Sequence, residues 1–402
     1  MGSNTATDIP IFSAPTPGGE LTARFEPFDS IRSGSLLREW RELASAGYFA
    51  EPFYQPEWFQ GFADSFAAGR NTLLLTVRDA ASGVGAALRA VVPLTRERSF
   101  FGGIPARTYR GLSGIHSCRY DLVLDQNGSD QILKTIWRAL EQDRSWDVIE
   151  AEDVPCDGAF NRLAHEAWGA GYLVGTWPTR RTPILTLPRR GLDPLANCPH
   201  HFKSLRNRLK SKLRRLGSEG KVVFERHTAD FQAPFKRFLD LESAGWKASN
   251  GSAISCSAVT TRFYSEVVEA LAERGFLRIY ELRLGSKTIA AQLGLAMNGV
   301  YYTPKVAYDE SFARYSPGQL LNNHVIGDLQ REDFRAYDFL GPMADWKAVW
   351  ASGIREHRNR YIFRPSARGR VLHALTMYGA ASLRSLYRRW HGDPQSAKTI
   401  GG

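Results

Sequence analysis

The chain has few cysteines and no long apolar run, which argues against a disulfide-stabilised protein and against a membrane-spanning one. Only four of its 402 residues are cysteines, and no two of them form a C-x-x-C pair. Dispersed cysteines indicate reduced thiols in a reducing compartment rather than a disulfide framework or a zinc site. No apolar run reaches the roughly 18 residues that a membrane-spanning helix needs. Residues 1–20 lack the basic-then-apolar order of a signal peptide. We therefore expect a cytoplasmic protein without a bound metal, preceded by a disordered leader over residues 1–20.

Positive charge exceeds negative charge, and it is concentrated in two stretches. The formal net charge is +11, and seven Lys or Arg fall between Lys203 and Arg215 with no acid among them. A second basic stretch runs from Arg355 to Arg389. Such patches suit nucleic acid, anionic lipid or phosphorylated small molecules, and the sign of the charge does not choose among them.

Two stretches of the chain share one order of elements. LLLTVRDAASGVGAALRAVVPL, which begins at Leu73, and LRIYELRLGSKTIAAQLGLAM, which begins at Leu277, both predict a β-hairpin. After each hairpin come an amphipathic helix and a short strand. The apolar residues of the two helices are spaced by four, which places each set on one helix face: Ile132, Ile136 and Leu140 in the first copy, and Leu321, Val325 and Leu329 in the second. We infer two copies of one α/β unit, although other α/β domains also contain this order.

This repeat divides the chain into segments. We predict an N-terminal lobe over residues 21–192, a C-terminal lobe over 193–365, and a basic amphipathic C-terminal helix and tail over 366–402. The second lobe opens with a basic helix near 201–216, whose apolar stripe is typical of an amphipathic helix: Phe202, Leu205, Leu209, Leu213 and Leu216. Its cations form either a solvated face or a rim that binds phosphate. The C-terminal helix docks either on an anionic membrane or on the protein's own surface.

The segment RYSPGQ has the pattern of a helix start. Ser316 suits the N-cap, Pro317 suits the first helical position, and Gln319 completes a capping-box spacing. A helix start presents free N–H groups and the positive end of the helix dipole, which together bind phosphate. The alternative is a well-capped helix without a ligand.

Four motifs resemble one family. KVAYDESFARYSPG from Lys305, YDFLG from Tyr337, LESAGWK from Leu241 and DWKAVW from Asp345 are similar to the CelD-type (cellulose-biosynthesis) acyltransferases of the FemAB-like GNAT branch. The resemblance implies an α/β fold of tandem GNAT-like lobes, each a mixed, mostly antiparallel sheet flanked by helices. It also implies acyl-CoA as a co-substrate, no tightly bound cofactor, and an amine or hydroxyl acceptor on a small molecule, sugar or lipid precursor. In the FemAB branch the donor is an aminoacyl-tRNA instead.

The resemblance further implies the positions that contact donor and acceptor. The donor pyrophosphate would contact Arg314, Tyr315, Ser316, Pro317, Gly318 and Gln319. From the chemistry of acyl transfer, the catalytic candidates are Asp309 as an acid–base or acceptor-orienting group and Lys305 as an anion or oxyanion partner. Tyr308 and Tyr315 are the candidate proton donors to the leaving thiolate. The acceptor cleft would be lined by Glu242, Trp246, Lys247, Asp338, Trp346 and Lys347. Capping and packing are the alternative roles for these residues.

The first lobe differs from the second at the matching helix start. There the chain carries Gly128, Ser129 and Asp130, and the acid would repel phosphate, so we expect a donor only in the second lobe. In the same lobe His116, Arg119 and Asp121 form either a polar loop or part of the acceptor site.

Three functions remain open from the sequence. The first is an acyl-CoA-dependent acyltransferase that works by direct transfer, and the second is an aminoacyl transferase that uses charged tRNA. The third is a GNAT-like scaffold without catalytic activity that binds RNA, membrane or a protein partner.

Overall fold

The computed structural model describes most of the chain. The described residues are 11–14, 21–47, 50–80, 86–188, 201–245 and 251–379. Among them, no helix combines the length and the apolar composition that crossing a membrane requires.

The N-terminal lobe is built from an antiparallel meander and four helices. Its strands are β1 (Ile11–Ala14), β2 (Leu21–Pro27), β3 (Asn71–Asp79), β4 (Leu88–Phe101), β5 (Ile104–Gly111), β6 (Val123–Leu124), β7 (Val148–Pro155) and β8 (Leu173–Thr186). Its helices are α1 (Ser35–Ala46), α2 (Pro56–Phe66), α3 (Ser129–Gln142) and α4 (Ala159–Gly169). The hairpin predicted from Leu73 is β3–β4, and the predicted amphipathic helix is α3, whose Ile132, Ile136 and Leu140 are buried.

The C-terminal lobe repeats this order. Its strands are β9 (Val222–His227), β10 (Leu277–Leu284), β11 (Lys287–Met297), β12 (Val300–Tyr308), β13 (Ala336–Asp338) and β14 (Gly353–Phe363). Its helices are α5 (His201–Gly217), α6 (Gln232–Ser243), α7 (Ala258–Glu273), α8 (Pro317–Arg331), α9 (Asp345–Ala348) and α10 (Ala367–Ala374). The predicted basic helix is α5, with Phe202, Leu205, Leu209 and Leu216 buried and Leu213 partly buried.

The two lobes share one sheet because the last strand of each lobe pairs with a strand of the other lobe. The strand order is β1-β2-β3-β4-β5-β7-β14-β8-β13-β12-β11-β10-β9, with β6 paired to β4. β8 closes the first lobe in sequence but pairs with β13 of the second lobe, and β14 closes the second lobe but pairs with β7 of the first. β8 and β14 also pair with each other, antiparallel. The predicted repeat and the mostly antiparallel sheets are confirmed, whereas this exchange does not follow from the sequence pattern.

Each lobe contains one parallel strand pair, and both pairs are short. β5 pairs with β7 over three residues, from Thr108 to Arg110. β12 pairs with β13 over three residues, from Val300 to Tyr302. Beyond these residues the strands of each pair separate, which opens a split in the sheet.

A buried arginine joins the lobes close to the exchanged strands. The Arg119 side chain is completely buried and donates to Glu51 of the first lobe at 2.8 Å and to Asp338 of the second at 2.7 Å. Arg355 on β14 binds the other oxygen of Glu51 at 2.6 Å. Buried charges of this kind require partners, so the ion pairs fix how the lobes meet.

Two terminal predictions need correction or remain open. The expectation of a disordered leader over 1–20 is wrong for residues 11–14, which form β1 and extend the sheet by pairing with β2. At the other end the predicted helix is seen as α10, in which Leu372 is buried and Val371 is 49% exposed. A helical turn over Leu375–Gly379 continues it, and the part of the predicted C-terminal helix beyond Gly379 lies outside the described residues. So do residues 189–200, which hold the predicted lobe boundary, and that boundary stays a prediction.

Candidate active site

A cavity of about 420 Å³ lies at the split between β12 and β13. One wall is the end of α6, a second is the half of β12 that has left β13, and a third is the start of α8. The lining residues are Leu241, Glu242, Gly245, Ala291, Gln292, Val306, Ala307, Tyr308, Ala313, Ser316, Pro317, Gly318, Gln319, Leu321, Asn322 and Trp346. The lining is mostly apolar with a few polar groups, as expected of a small-molecule site.

The start of α8 is open rather than capped. Ser316 has a left-handed backbone conformation, φ 53° and ψ 57°, and its side chain makes no capping hydrogen bond. Instead its Oγ accepts from Nζ of Lys212 on α5 at 2.5 Å. Pro317 is the first helical residue, as predicted, and no atom lies within 4 Å of the position that a Cβ on Gly318 would occupy. The predicted capping box is therefore wrong, and the positive end of the helix, with one lysine beside it, faces the cavity.

Gln319 does not reach back to Ser316, because both ends of its amide are used elsewhere. Its Nε2 donates to the carbonyl of Trp346 at 2.9 Å, and its Oε1 accepts from Nε1 of Trp350 at 2.5 Å. These bonds hold the turn that contains α9 over the mouth of the cavity. Gln319 thus lines the cavity, but its amide atoms bind Trp346 and Trp350 instead of pointing to a ligand.

The two candidate acids have opposite surroundings. Asp309 accepts from Ser311 and pairs with Lys287 at 2.6 Å, and it does not line the cavity. Burial alone would raise the pKa of Asp309, but Lys287 and Ser311 outweigh it, so this pKa lies below its ordinary value. Glu242 lines the cavity, is 2% exposed, and accepts from the backbone N–H of Ile254 at 2.9 Å. The carboxylate that faces the cavity is therefore Glu242.

A loop of the first lobe approaches β12 near Lys305. Nζ of Lys305 lies 5.1 Å from the ring centre of Tyr264 on α7. His116 of the first lobe packs edge-on against the same ring at 5.9 Å and stacks on Phe66 at 5.0 Å. Burial, with a smaller contribution from Lys305, lowers the pKa of His116 to about 4. The imidazole is neutral at pH 7 and lies beside the residue that precedes the cavity-lining part of β12.

Comparison with known proteins agrees with this architecture. Residues 203–348 match the family model described as acetyltransferase (GNAT) domain. The chain is a transferase with a GNAT domain. The GNAT domain spans α5 to α9, so it contains the whole cavity and the helix start beside it.

Solved structures share the fold of the whole chain. The crystal structure of FemX is similar over 82% of this chain and 96% of FemX, at 13% identity and a TM-score of 0.53. The C-terminal domain (DUF2156) of a putative lysylphosphatidylglycerol synthetase from Agrobacterium fabrum covers 85% of this chain and 97% of its own length, at 10% identity and a TM-score of 0.50. A tandem GNAT protein from the clavulanic acid biosynthesis pathway aligns at 14% identity, over 86% of this chain and 99% of its own, with a TM-score of 0.42. No curated protein matches the sequence. The two lobes, of which the second matches the GNAT model, therefore share the fold of FemX.

Six of the predicted site residues do not line the cavity of the GNAT domain: Asp309 and Lys305, described above, and Arg314, Tyr315, Asp338 and Lys347. Arg314 and Tyr315 both bind Glu219, just beyond α5, at 3.3 and 2.5 Å. Asp338 binds Arg119 and the N–H of Leu340, and Nζ of Lys347 donates to the carbonyls of Leu340 and Pro342. These side chains stabilise the loops and strand ends around the cavity. Trp246 and Lys247 lie outside the described residues.

Sequence reasoning missed a buried polar trio at the base of the cavity. Gln292 on β11 donates to Asn322 on α8, and the Tyr337 hydroxyl lies within 3.3 Å of both amide oxygens. All three are 2% exposed or less, and the first two line the cavity. Gln292 is an isolated polar residue in an apolar run, so its signal was the cost of burying it without a partner. Asn322 and Tyr337 have polar neighbours in sequence, which gave no such signal.

Among the described residues, one cluster has the composition of a metal site. Glu225, His227 and Glu281 place their ligand atoms within 4.8 Å of one another. Both carboxylates already bind arginine, since Arg237 donates twice to Glu281 and Arg283 binds Glu225. The cluster is therefore an ion-pair network on β9 and β10, remote from the cavity lining.

The matching helix start in the first lobe is occupied. Asp130, in the first turn of α3, pairs with Arg162 of α4, and Ser129 accepts from the same guanidinium. An acid and its partner thus stand where the second lobe has Pro317 and Gly318.

Proposed function

We propose that the protein transfers an acyl group from acyl-CoA to an amine or hydroxyl of a small-molecule, sugar or lipid-precursor acceptor, directly and without a covalent enzyme intermediate. The observation that supports this most is the position of the cavity: it joins a split strand pair to an uncapped helix start inside the GNAT domain.

The donor would lie with its phosphates at α8 and its thioester arm along β12. The N–H of Gly318, the helix dipole and Lys212 offer positive potential at one point, which is the usual arrangement for binding phosphate. Ala291, Val306 and Ala307 provide the apolar wall that a pantetheine arm and an acyl chain require.

Transfer then needs three events at the split. The acceptor nitrogen or oxygen attacks the thioester carbonyl carbon and loses its proton to Glu242, which replaces Asp309 as our candidate base. Backbone N–H groups of the separated part of β12 would stabilise the oxyanion. The C–S bond breaks, and the thiolate takes a proton from Tyr308. Positioning of the two reactants is expected to contribute most, and the acid–base groups typically ~10²–10⁴-fold.

A second candidate is aminoacyl transfer from charged tRNA. It is favoured by α5, whose exposed cations continue from Lys212 away from the cavity: Lys203, Arg208, Lys210, Arg214 and Arg215. Contacts to several phosphates would make binding fall steeply with salt, whereas CoA engages only the cations at the helix start. A scaffold without catalysis is the third candidate, and the lined cavity argues against it.

Thermal unfolding of the full chain with CoA, acetyl-CoA and a long-chain acyl-CoA tests the proposal. Binding to the native state raises the melting temperature by mass action. The rise should be lost with Gly318→Asp and reduced with Lys212→Ala, and kept with the matched control Lys210→Ala, which removes an exposed charge from the same helix. No rise with any CoA compound would refute the acyl-CoA assignment. A rise with aminoacyl-tRNA that disappears at moderate salt would support the second candidate instead.

Release of free thiol in the presence of amine acceptors then tests the chemistry. Glu242→Gln keeps the size of the side chain but removes the base, so turnover should fall by about 10²–10⁴-fold while acyl-CoA still raises the melting temperature. Asp309→Asn should leave turnover within a few-fold of the wild type. The reverse ranking would return the role to Asp309. A cytoplasmic location, with contact to the inner face of the membrane, completes the proposal.

A further inference from the structure

The tip of the β4–β5 hairpin exposes an aromatic ring among arginines. Phe100 is 72% exposed, and Arg98 precedes it by two residues on the same face of β4. Across the ladder Arg98 lies opposite Arg107, and Phe100 lies opposite the exposed Pro105. Gly102 and Gly103 turn the hairpin with positive φ. The tip thus projects an apolar group beyond a basic strand pair.

The C-terminal helix extends this surface. The Arg368 guanidinium donates to the carbonyl of Pro105, and Leu375 packs against Gly102. Tyr378, at the end of the same segment, is 67% exposed. Between the helix end and the hairpin lies a groove of about 460 Å³ whose wall includes Phe100, Trp177 and Leu375.

Positive charge predominates on this surface. Arg96, Arg98, Arg107, Arg368 and Arg370 are all exposed. Asp147 is the only carboxylate within 4 Å of any of these five guanidiniums among the described residues, and it pairs with Arg107 and Arg368. Arg96, Arg98 and Arg370 therefore face solvent as uncompensated cations.

We propose that this surface, the hairpin tip with α10 and Leu375–Gly379, docks on an anionic bilayer. A projecting aromatic ring flanked by arginines fits the boundary between acyl chains and anionic headgroups, where aromatic rings are enriched and cations are attracted. Phe100 and Tyr378 are both exposed, which favours insertion of the rings into a bilayer over binding of a ligand in the groove alone. The chain continues past Gly379, at the wall of the groove, into residues that repeat this chemistry: Leu383, Arg384, Leu386, Tyr387, Arg388, Arg389 and Trp390.

The proposal is independent of the acyl-transfer assignment, because none of these residues lines the cavity of the GNAT domain. In this proposal the first lobe, whose helix start is occupied, contributes to membrane binding.

Co-sedimentation of the full chain with vesicles tests the surface. We expect binding to vesicles of mixed phosphatidylcholine and phosphatidylglycerol and little binding to phosphatidylcholine alone. Arg98→Ser should weaken binding by about five-fold, the factor that corresponds to one cation at an anionic surface. Phe100→Ser should weaken it by about ten-fold or more, since the ring no longer enters the apolar boundary.

Two matched controls distinguish binding by this surface from nonspecific electrostatic or hydrophobic binding to vesicles. Trp168→Ser removes an aromatic ring of similar exposure, 64%, from α4, and Arg208→Ser removes an exposed cation from α5. Both should bind as the wild type does, and all four variants should keep the wild-type melting temperature. Absence of binding by the wild type would overturn the proposal. So would equal losses for Arg98→Ser and Arg208→Ser, or binding that Arg388→Glu/Arg389→Glu abolishes while Phe100→Ser leaves it intact.

Discussion

Replacing Arg119 by methionine should uncouple the lobes at a large cost in stability. The guanidinium has no exposed side-chain surface and donates to two carboxylates, Glu51 at 2.8 Å and Asp338 at 2.7 Å, which are themselves 7% and 3% exposed. Methionine keeps most of the volume but leaves both acids buried with one cation fewer. Removing one partner of a buried ion pair typically costs about 3–5 kcal/mol. We expect a loss of that size at pH 7, because Arg355 still holds Glu51 but no other side chain binds Asp338 among the described residues.

The pH dependence of this loss identifies its cause. Burial raises the pKa of Glu51, but Arg119 and Arg355 together outweigh it, so in the folded protein this pKa lies below its ordinary value of 4.5. The pair therefore contributes stability that is present above about pH 4.5 and is lost as pH falls through the folded pKa. In Arg119→Met the Glu51 carboxylate loses one of the two cations that lower its pKa, so this pKa rises and protonation relieves the variant first. The difference between variant and wild type should shrink from pH 7 to pH 5.

Urea unfolding followed by circular dichroism and tryptophan fluorescence measures both effects. If the lobes unfold in separate transitions, both transitions should move, because the residue bridges the lobes. Adding Asp338→Asn should restore part of the loss, since it removes one of the stranded charges. The exposed pair of Arg262 and Glu266 provides the control, and Arg262→Met should leave the midpoint unchanged. A loss below about 1 kcal/mol for Arg119→Met, or a loss independent of pH, would refute the reasoning.

Three further predictions concern packing, the cavity wall and a histidine. A Cβ on Gly294 would overlap the ring of buried Tyr301, so Gly294→Ala should lower the free energy of unfolding in urea by about 1–3 kcal/mol. Gly318→Ala is the control and should be neutral, because its Cβ would meet no atom within 4 Å. Equal effects of the two substitutions would contradict the packing described. Gln319→Leu should leave the indole N–H of Trp350 without its acceptor and cost about 1–3 kcal/mol, with a change in tryptophan fluorescence; an unchanged midpoint would show that the turn over the cavity does not depend on this amide. NMR titration should give His116 a pKa near 4. In the unfolded chain this histidine binds its proton near pH 6.5, so the free energy of unfolding should fall as pH drops from 6.5 to 4. A titration near pH 6.5 in the folded protein would show that the ring is exposed.

The local elements were predictable because each is encoded by a short period. Both hairpins, α3, α5 and α8 follow from alternating or four-residue spacing of apolar residues. The repeat follows in turn, since two copies with the same order of elements fold alike. Even Pro317 at the first turn of α8 was predictable, because its ring fits only that part of a helix.

The arrangement of the site was less predictable, because it depends on contacts between distant residues. Ser316 lies in the left-handed region and binds Lys212, more than a hundred residues earlier, so the capping box implied by local spacing does not form. The sequence favours Asp309 as the acid–base group and Glu242 as a residue of the acceptor cleft. The ion pair of Asp309 with Lys287 and the burial of Glu242 at the cavity favour Glu242 instead.

Three consecutive residues explain why the two similar lobes have different sites. Tyr120 is fully buried, packs against Gly111 where β5 leaves β7, and donates to the carbonyl of Pro93, so it fills the region that corresponds to the cavity of the second lobe. Arg119, before it, crosses to Asp338 of the second lobe. Asp121, after it, accepts from three backbone N–H groups, those of Leu122, Ala159 and Phe160, and so ties the loop to the start of α4. One short segment therefore packs where β5 leaves β7 in the first lobe and, through Arg119, holds the strand beside the cavity of the second.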